Sequence, residues 1–240
     1  MTRVTDDRLY FRQLLSGRDF AADDPIAQQM VNFAYAIGDR TTGECVLVDP
    51  AYAVDELIDA VERDGMRVAG VLATHYHADH IGGSMMGYRI EGIATLLERC
   101  DCAIHVQRNE TPWIMRTTGV GEQQLVQHDA GDVVQVGGIE ITLVHTPGHT
   151  PGSQCFLVDR KLVSGDTLFL EGCGRTDLPG SDPEAMYHSL QRLSALPDDT
   201  VVFPGHRYSA PSSGTLEGLR ETNYVFKPKT KDAWMQWFGQ

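Results

Sequence analysis

Three histidines and one aspartate lie within six consecutive positions, at His75, His77, Asp79 and His80. Imidazole and carboxylate groups bind metals, and four of them so close together favour a metal site over a polar loop with solvated histidines. A helix would spread these side chains around its circumference, because residues two positions apart do not share a helical face. After a strand, His75 and His77 would leave on one side, and Asp79 and His80 would approach from the following turn. One loop could therefore supply two halves of a metal site.

The residues around this loop predict layers of strands and helices. Residues 68–73 form an apolar run typical of a buried strand that leads into the loop. Upstream, residues 32–38 and 45–50 predict a β-hairpin, and the apolar spacing within 53–64 predicts an amphipathic helix closed by Gly65. A helix between two strands implies a crossover connection, so we expect sheets covered by helices.

Three later loops share one form, in which an apolar strand is followed abruptly by glycine or proline and a potential ligand. His149 lies between two Pro-Gly pairs, Asp166 follows a glycine, and His206 follows a Pro-Gly pair. Such turns fix a side chain at the end of a strand. Ligands from four strand ends can meet only if those ends share one edge of the sheets, where active sites of layered folds lie.

This series of ligands, in this order, resembles the metallo-β-lactamase superfamily, and the resemblance covers nearly the whole chain. It implies an α/β (α+β) fold, the αββα four-layer sandwich, with a metal site at the sheet edges. It also implies two divalent metal ions, zinc or iron or both. The first would be held by His75, His77 and His149 and the second by Asp79, His80 and His206, with Asp166 bridging both.

The chemistry of these ligands agrees with a catalytic site. Imidazole and carboxylate ligands suit zinc or iron, and seven ligands for two ions leave coordination positions for water and substrate. Water between two cations is acidified near neutral pH, and Asp79 could orient it, so Asp79 and Asp166 are the candidate catalytic groups. We therefore expect a dinuclear hydrolase that acts on a small thioester or ester. A non-catalytic binding protein is disfavoured because no ligand position is lost.

Two branches of the superfamily share further motifs with this chain. Residues 74–80 and 146–152 and the Gly205-His206-x-Tyr208 sequence resemble glyoxalase II, a thioester hydrolase with a dinuclear site. Residues 172–177 resemble persulfide dioxygenase, whose single iron would here be held by His75, His149 and Asp166. Persulfide oxidation is therefore the alternative to hydrolysis. Only 34 residues follow His206 (240 minus 206), too few for the helical domain with which glyoxalase II enzymes hold glutathione.

Two residues outside the ligand set are candidate substrate contacts. The planar guanidinium of Arg175 suits an anionic thiol substrate, but it could equally form a salt bridge with Asp177 that fixes the loop. Tyr208 could donate a hydrogen bond near the metals or merely pack. A structural or surface role is favoured for the four remaining histidines, which are His105 in a strand, His128 in a polar loop, His145 beside the second motif and His188 in a helix.

The rest of the chain predicts further strands and helices. Residues 84–130 predict helical pieces over 93–99 and 110–117 around a strand at 103–106, and the apolar side chains Met85, Met86, Tyr88 and Trp113 favour core over a substrate wall. Beyond this segment we expect strands over 133–136, 139–144, 154–158, 162–164 and 200–203, and helices over 183–195 and 216–224.

Length and composition favour one domain over residues 1–240, with an irregular or partly helical leader over 1–30, anchored by Leu14 and Leu15, and a packed tail over 225–240. The net charge of −13 disfavours nucleic acid as a partner. No apolar run is typical of a signal peptide or a membrane span, so we expect a cytoplasmic protein without a membrane partner. Five scattered cysteines indicate reduced thiols. The substrate would be a small molecule, and a homodimer is left open.

Overall fold

The computed structural model describes residues 7–239. Its strands, in chain order, are β1 (Leu9–Leu15), β2 (Phe33–Asp39), β3 (Glu44–Val48), β4 (Arg67–Leu72), β5 (Gly83–Met85), β6 (Tyr88–Ile90), β7 (Ala103–Gln107), β8 (Leu125–His128), β9 (Val133–Val136), β10 (Ile139–His145), β11 (Gln154–Val158), β12 (Lys161–Gly165), β13 (Val201–Pro204) and β14 (Gly214–Thr215). Its helices are α1 (Pro25–Met30), α2 (Val54–Arg63), α3 (Ala78–Ile81), α4 (Ile93–Leu97), α5 (Thr111–Thr118), α6 (Pro183–Ser194), α7 (Leu216–Thr222) and α8 (Lys231–Phe238).

Twelve of these strands form two sheets of six. The first has the strand order β1-β2-β3-β4-β7-β8, and the second has the order β14-β13-β12-β11-β10-β9. In the first sheet β3, β4, β7 and β8 pair in parallel, whereas β1 and β2 are antiparallel. In the second sheet only the β12–β13 pair is parallel among the described strands. The strands β5 and β6 form a separate hairpin.

Three buried apolar clusters define the layers. One lies between the first sheet and helices α1, α2, α4 and α5, and includes Leu57 and Ile114. The second lies between the two sheets and includes Ile37 and Phe156. The third lies between the second sheet and helices α6, α7 and α8, and includes Leu190. Helices therefore cover both outer faces of two packed sheets, and the expected αββα sandwich is confirmed.

The topology explains why the candidate ligands meet. Strands β3 and β4 are parallel neighbours in one sheet, and β12 and β13 are parallel neighbours in the other. The chain segments that carry His75, Asp166 and His206 each follow the carboxyl end of one of these strands. Because parallel strands end at the same edge, these loops share one edge of the sandwich.

The leader expected to be irregular or partly helical does contain a helix, but its described part also contains a strand that was not expected. Residues 9–15 form β1, which pairs antiparallel with β2, and α1 follows later in the segment. The strand has no simple alternation of buried and exposed residues, because both ends are buried on consecutive positions and its middle is half-buried. Leu14 and Leu15 are buried, as expected of anchors. Residues 1–6 lie outside the described part of the chain.

The segment between residues 84 and 130 differs most from expectation. It contains the unpredicted hairpin β5–β6 and the unpredicted edge strand β8, which ends at His128, so the loop predicted there is wrong. A core role is also wrong for Met86 and Tyr88, which are exposed. Met85 packs against the first apolar cluster, as expected, and also lines a cleft. Met86 and Tyr88 are exposed because residues 86–87 form the two-residue turn of this hairpin, so both lie at its tip.

The last described helix packs on the second sheet's outer helices. Trp234 of α8 is buried, and its indole N–H donates to the carbonyl oxygen of Pro183 at 2.8 Å. Trp234 also stacks on Phe238 at 3.9 Å between ring centroids. By contrast, Trp237 is exposed. No helix among residues 7–239 is long and apolar enough to cross a membrane.

Candidate metal centre

All seven predicted ligands converge at the shared edge of the two sheets. The first cluster consists of His75, His77 and His149. Nδ1 of His77 lies 3.0 Å from Nε2 of His75 and 3.0 Å from Nε2 of His149. Two nitrogens bound to one tetrahedral zinc at its usual bond length lie about 3.3 Å apart, so these nitrogens are placed as ligands of one ion.

The second cluster consists of Asp79, His80 and His206. Nε2 of His80 lies 3.2 Å from Nε2 of His206, and Oδ2 of Asp79 lies 3.5 Å and 3.4 Å from these two nitrogens. Asp79 and His80 lie on the four-residue helix α3, which follows directly after His77. This short helix turns consecutive side chains away from the first cluster and toward the second.

Asp166 stands between the two clusters. Its Oδ2 lies 3.7 Å from Nε2 of His149 in the first cluster and 3.4 Å from Nε2 of His206 in the second, and its Oδ1 lies 3.4 Å from Nε2 of His80. Oδ1 is buried and has no hydrogen-bond partner among the described residues. Buried polar atoms rarely lack a hydrogen bond, so this oxygen fits a bound cation. A Cβ on Gly205 would collide with the same oxygen, which explains the glycine there.

Hydrogen bonds on the far side of each ring fix which nitrogen faces the clusters. Nδ1 of His149 donates to the carbonyl oxygen of Arg175, and Nδ1 of His206 donates to that of Met30, both at 2.8 Å. Each bond leaves Nε2 as the free nitrogen toward the cluster. A bond of this kind orients a metal-binding histidine and raises its basicity.

Asp49 supports the first and second clusters together. Its Oδ1 accepts from the backbone N–H of Thr74 at 2.8 Å, and its Oδ2 accepts from the Thr74 hydroxyl at 2.6 Å. The same Oδ2 lies 2.9 Å from Nδ1 of His80, and the Thr74 hydroxyl lies 2.9 Å from Nδ1 of His75. Asp49, His75 and His80 are close enough to hold an ion themselves. The carboxylate already has these three partners, so its role is to orient the two rings.

The ligand geometry agrees with comparisons to known proteins. The metallo-β-lactamase superfamily model matches residues 29–206, which include every candidate ligand. The chain belongs to the metallo-β-lactamase superfamily.

Several superfamily members are similar to this chain over most of its length. A probable polyketide biosynthesis zinc-dependent hydrolase of Bacillus velezensis is 30% identical, covering 85% of this chain and 86% of that protein. A hydroxyacylglutathione hydrolase of Rhodopseudomonas palustris is 34% identical, covering 83% of this chain and 72% of that protein. The crystal structure of ETHE1 from Myxococcus xanthus is 28% identical, with a TM-score of 0.78, covering 96% of this chain and 90% of that one. These relatives support divalent metal cofactors.

The two clusters of this superfamily site differ in their charge without metal. Burial and the neighbouring imidazoles lower the pKa of His75 well below its usual range and that of His77 to about 4, so these two rings of the first cluster are neutral. Burial also lowers the pKa of His80, but the carboxylates of Asp166 and Asp79 outweigh it and raise the pKa to about 10. Metal binding to the second cluster must therefore release protons.

Two buried supporting residues were not found by the sequence analysis. The side-chain amide of Asn32 donates to Oδ2 of Asp79 at 3.0 Å and lies 3.3 Å from Nε2 of His80, and its oxygen accepts from the hydroxyl of Tyr52 at 3.0 Å. Glu110 accepts from the backbone N–H of Tyr76 at 2.8 Å and from that of Gly152 at 2.6 Å.

These residues tie separate parts of the chain together. Asn32 joins the segment before β2 to the second cluster, while Glu110 joins the loop of His75 and His77 to the loop of His149. Burial raises the pKa of Glu110 to about 7, although its hydrogen bonds act in the opposite direction. Neither residue lies in a motif, and no local signal in the sequence marks their role.

The two predicted substrate contacts both line the cleft above the ligands. Arg175 is exposed and makes two hydrogen bonds to the carboxylate of Asp177, at 2.9 and 2.7 Å, as the salt-bridge interpretation expected. Tyr208 stacks on the ring of His206 with 4.7 Å between centroids and an angle of 5° between planes. The four histidines outside the ligand set do not line the cleft. Two of them contact each other, with 2.8 Å between Nδ1 of His105 and Nε2 of His128.

Proposed function

We propose that this chain is a hydrolase with two metal ions that cleaves a small thioester or ester. One observation carries the proposal: Asp166 stands between two ligand clusters that are each complete without it. Asp79, His80 and His206 form a second group that could hold an ion of its own, beyond what a single metal requires. Similarity to a hydroxyacylglutathione hydrolase and to a zinc-dependent hydrolase adds support for hydrolysis.

The chemistry follows from the residues around the clusters. Divalent ions held there would polarise the substrate carbonyl and acidify a water. Asp79 lines the cleft, and the hydrogen bond from Asn32 fixes its carboxylate, so it can orient that water and accept its proton. Water adds to the carbonyl carbon, the bond between carbon and sulfur breaks, and the thiol leaves with a proton while the acid remains.

A second candidate is the oxidation of a persulfide at a single iron. One observation favours it: His75, His149 and Asp166 come from three loops yet lie close together. The rings of His75 and His149 are 4.9 Å apart between centroids, and Nε2 of His149 lies 3.7 Å from Oδ2 of Asp166. The loop over residues 172–177, which carries the resemblance to persulfide dioxygenase, also supplies the carbonyl oxygen that orients His149.

The two candidates are separated by their use of oxygen. Purified chain, loaded with zinc or with iron, is given a thioester or a persulfide while thiol release and oxygen uptake are followed. We expect thiol release from the thioester without oxygen uptake, and loss of that activity in the His75→Ala variant. Oxygen uptake with the persulfide, in the absence of thioester cleavage, would replace hydrolysis by the second candidate. Unchanged activity in His75→Ala would exclude both.

A further inference from the structure

The cleft over the metal ligands has a volume of about 610 Å³, and we call the apolar parts of its lining beside the two clusters its first and second arms. The first arm lies beside the first cluster and is lined by Tyr76, Met85 and Leu178. The ring of Tyr76 lies 4.6 Å from that of His77 and stacks on Trp113 at 4.9 Å. The stacking fixes the Tyr76 ring as a rigid wall of this arm.

The second arm lies beside the second cluster and is lined by Met30, Phe169 and Tyr208. The ring of Phe169 lies 6.0 Å from that of His206 and 5.1 Å from that of Tyr208. Apolar side chains thus lie beside a ligand of each cluster. A substrate carbonyl placed between the clusters would extend one substituent into each arm.

The charges of the cleft are unsuited to a thiol with several carboxylates. Among the described lining residues other than histidine, Arg175 is the one cation, and Asp177 already holds it through two hydrogen bonds. Glu171 adds a negative charge to the same wall. A carboxylate pressed against apolar walls without a free cation loses hydration that nothing replaces.

We infer that the substrate is a thioester whose acyl and thiol arms are both uncharged and extended, rather than a thioester of the tripeptide glutathione, which carries two carboxylates. This inference rests on the proposed hydrolysis of a thioester. Each methylene buried in an apolar arm strengthens binding by a factor of about four. The preference should therefore appear as a steep dependence of kcat/KM on acyl length.

The experiment uses the zinc-loaded chain and a series of S-acyl N-acetylcysteamines, which are neutral, from acetyl to octanoyl. S-lactoylglutathione is the charged comparison. We expect kcat/KM to rise about fourfold for each methylene until the arm is filled. The glutathione thioester should be a poorer substrate than the neutral thioesters of medium length.

Variants of the two arms test which side chains are responsible. Met85→Ala shortens the wall of the first arm, and Met30→Ala shortens that of the second. In at least one of them the octanoyl-to-acetyl ratio of kcat/KM should fall about fourfold, the value of one buried methylene. Met86→Ala is the matched control, because Met86 is the next residue, is exposed and does not line the cleft. Its ratio should stay at the native value.

The outcomes separate this inference from the proposed function. Hydrolysis that is independent of acyl length, or fastest with the glutathione thioester, overturns the inference and leaves the hydrolase intact. A native ratio in both Met85→Ala and Met30→Ala overturns it as well. If no thioester is hydrolysed by the zinc-loaded chain, the proposed function fails, and the substrate class fails with it.

Discussion

Replacing Glu110 with glutamine should loosen the metal centre without removing any ligand. The carboxylate of Glu110 is buried and bridges two backbone N–H groups, one beside His75 and His77 and one in the loop of His149. Glutamine has the same shape but offers one acceptor oxygen and one N–H₂ group. One of the two backbone N–H groups would therefore face another donor and lose its partner.

The size of the effect follows from the bond that is lost. A hydrogen bond to a charged group contributes about 1.5–3 kcal/mol, and a buried N–H left without a partner costs a similar amount. If this energy holds the two loops in register, zinc should dissociate from the first cluster roughly 10- to 150-fold faster in Glu110→Gln than in the native chain.

Zinc release into excess chromophoric chelator measures this rate directly. Glu62→Gln is the matched control, because Glu62 lies on the exposed face of α2, and its release rate should equal that of the native chain. Equal rates in Glu110→Gln and Glu62→Gln would refute the reasoning, since the carboxylate would then not couple the two loops.

Three further predictions concern residues that support the site or the fold. Burial raises the pKa of Glu110 from 4.5 to about 7, so ionising this carboxyl group destabilises the folded chain. This destabilisation is absent below pH 4.5 and reaches its full size above about pH 7. The free energy of unfolding of the native chain relative to Glu110→Gln should therefore fall by about 2 kcal/mol between pH 5.5 and 8, measured by urea unfolding. Asn32→Ala should weaken binding of the second zinc by about 10- to 100-fold in calorimetric titration while the first is unaffected, because Asp79 loses its hydrogen bond; equal weakening of both would contradict this. Trp234→Ala should lower the free energy of unfolding by about 3–5 kcal/mol in urea, and a loss below 1 kcal/mol would show that α8 contributes little.

The metal loops could be predicted because their signals are local. The ligands around His75 follow one strand within a few residues, and the Pro-Gly and Gly turns mark the other three strand ends. The amphipathic helix expected over 53–64 is α2, for the same reason: its buried residues recur at helical spacing. The meeting of the loops at one edge then follows from the parallel strand pairs.

The missed elements have no such local signal. Strand β1 lacks alternation because it is buried on adjacent positions at both ends, and β8 is an edge strand of four residues. Asn32 and Glu110 act on partners 47 and 42 positions away, at Asp79 and Gly152. Contacts at that separation depend on the packing of the whole sandwich, and a single polar residue in the sequence does not indicate them.

The number of metal ions per chain tests the dinuclear site most directly. After loading with zinc and removal of excess metal, elemental analysis should find two ions per native chain. The His206→Ala variant should retain about one, because His206 belongs to the second cluster and the first keeps its three histidines. One ion per native chain, unchanged in His206→Ala, would contradict the dinuclear site.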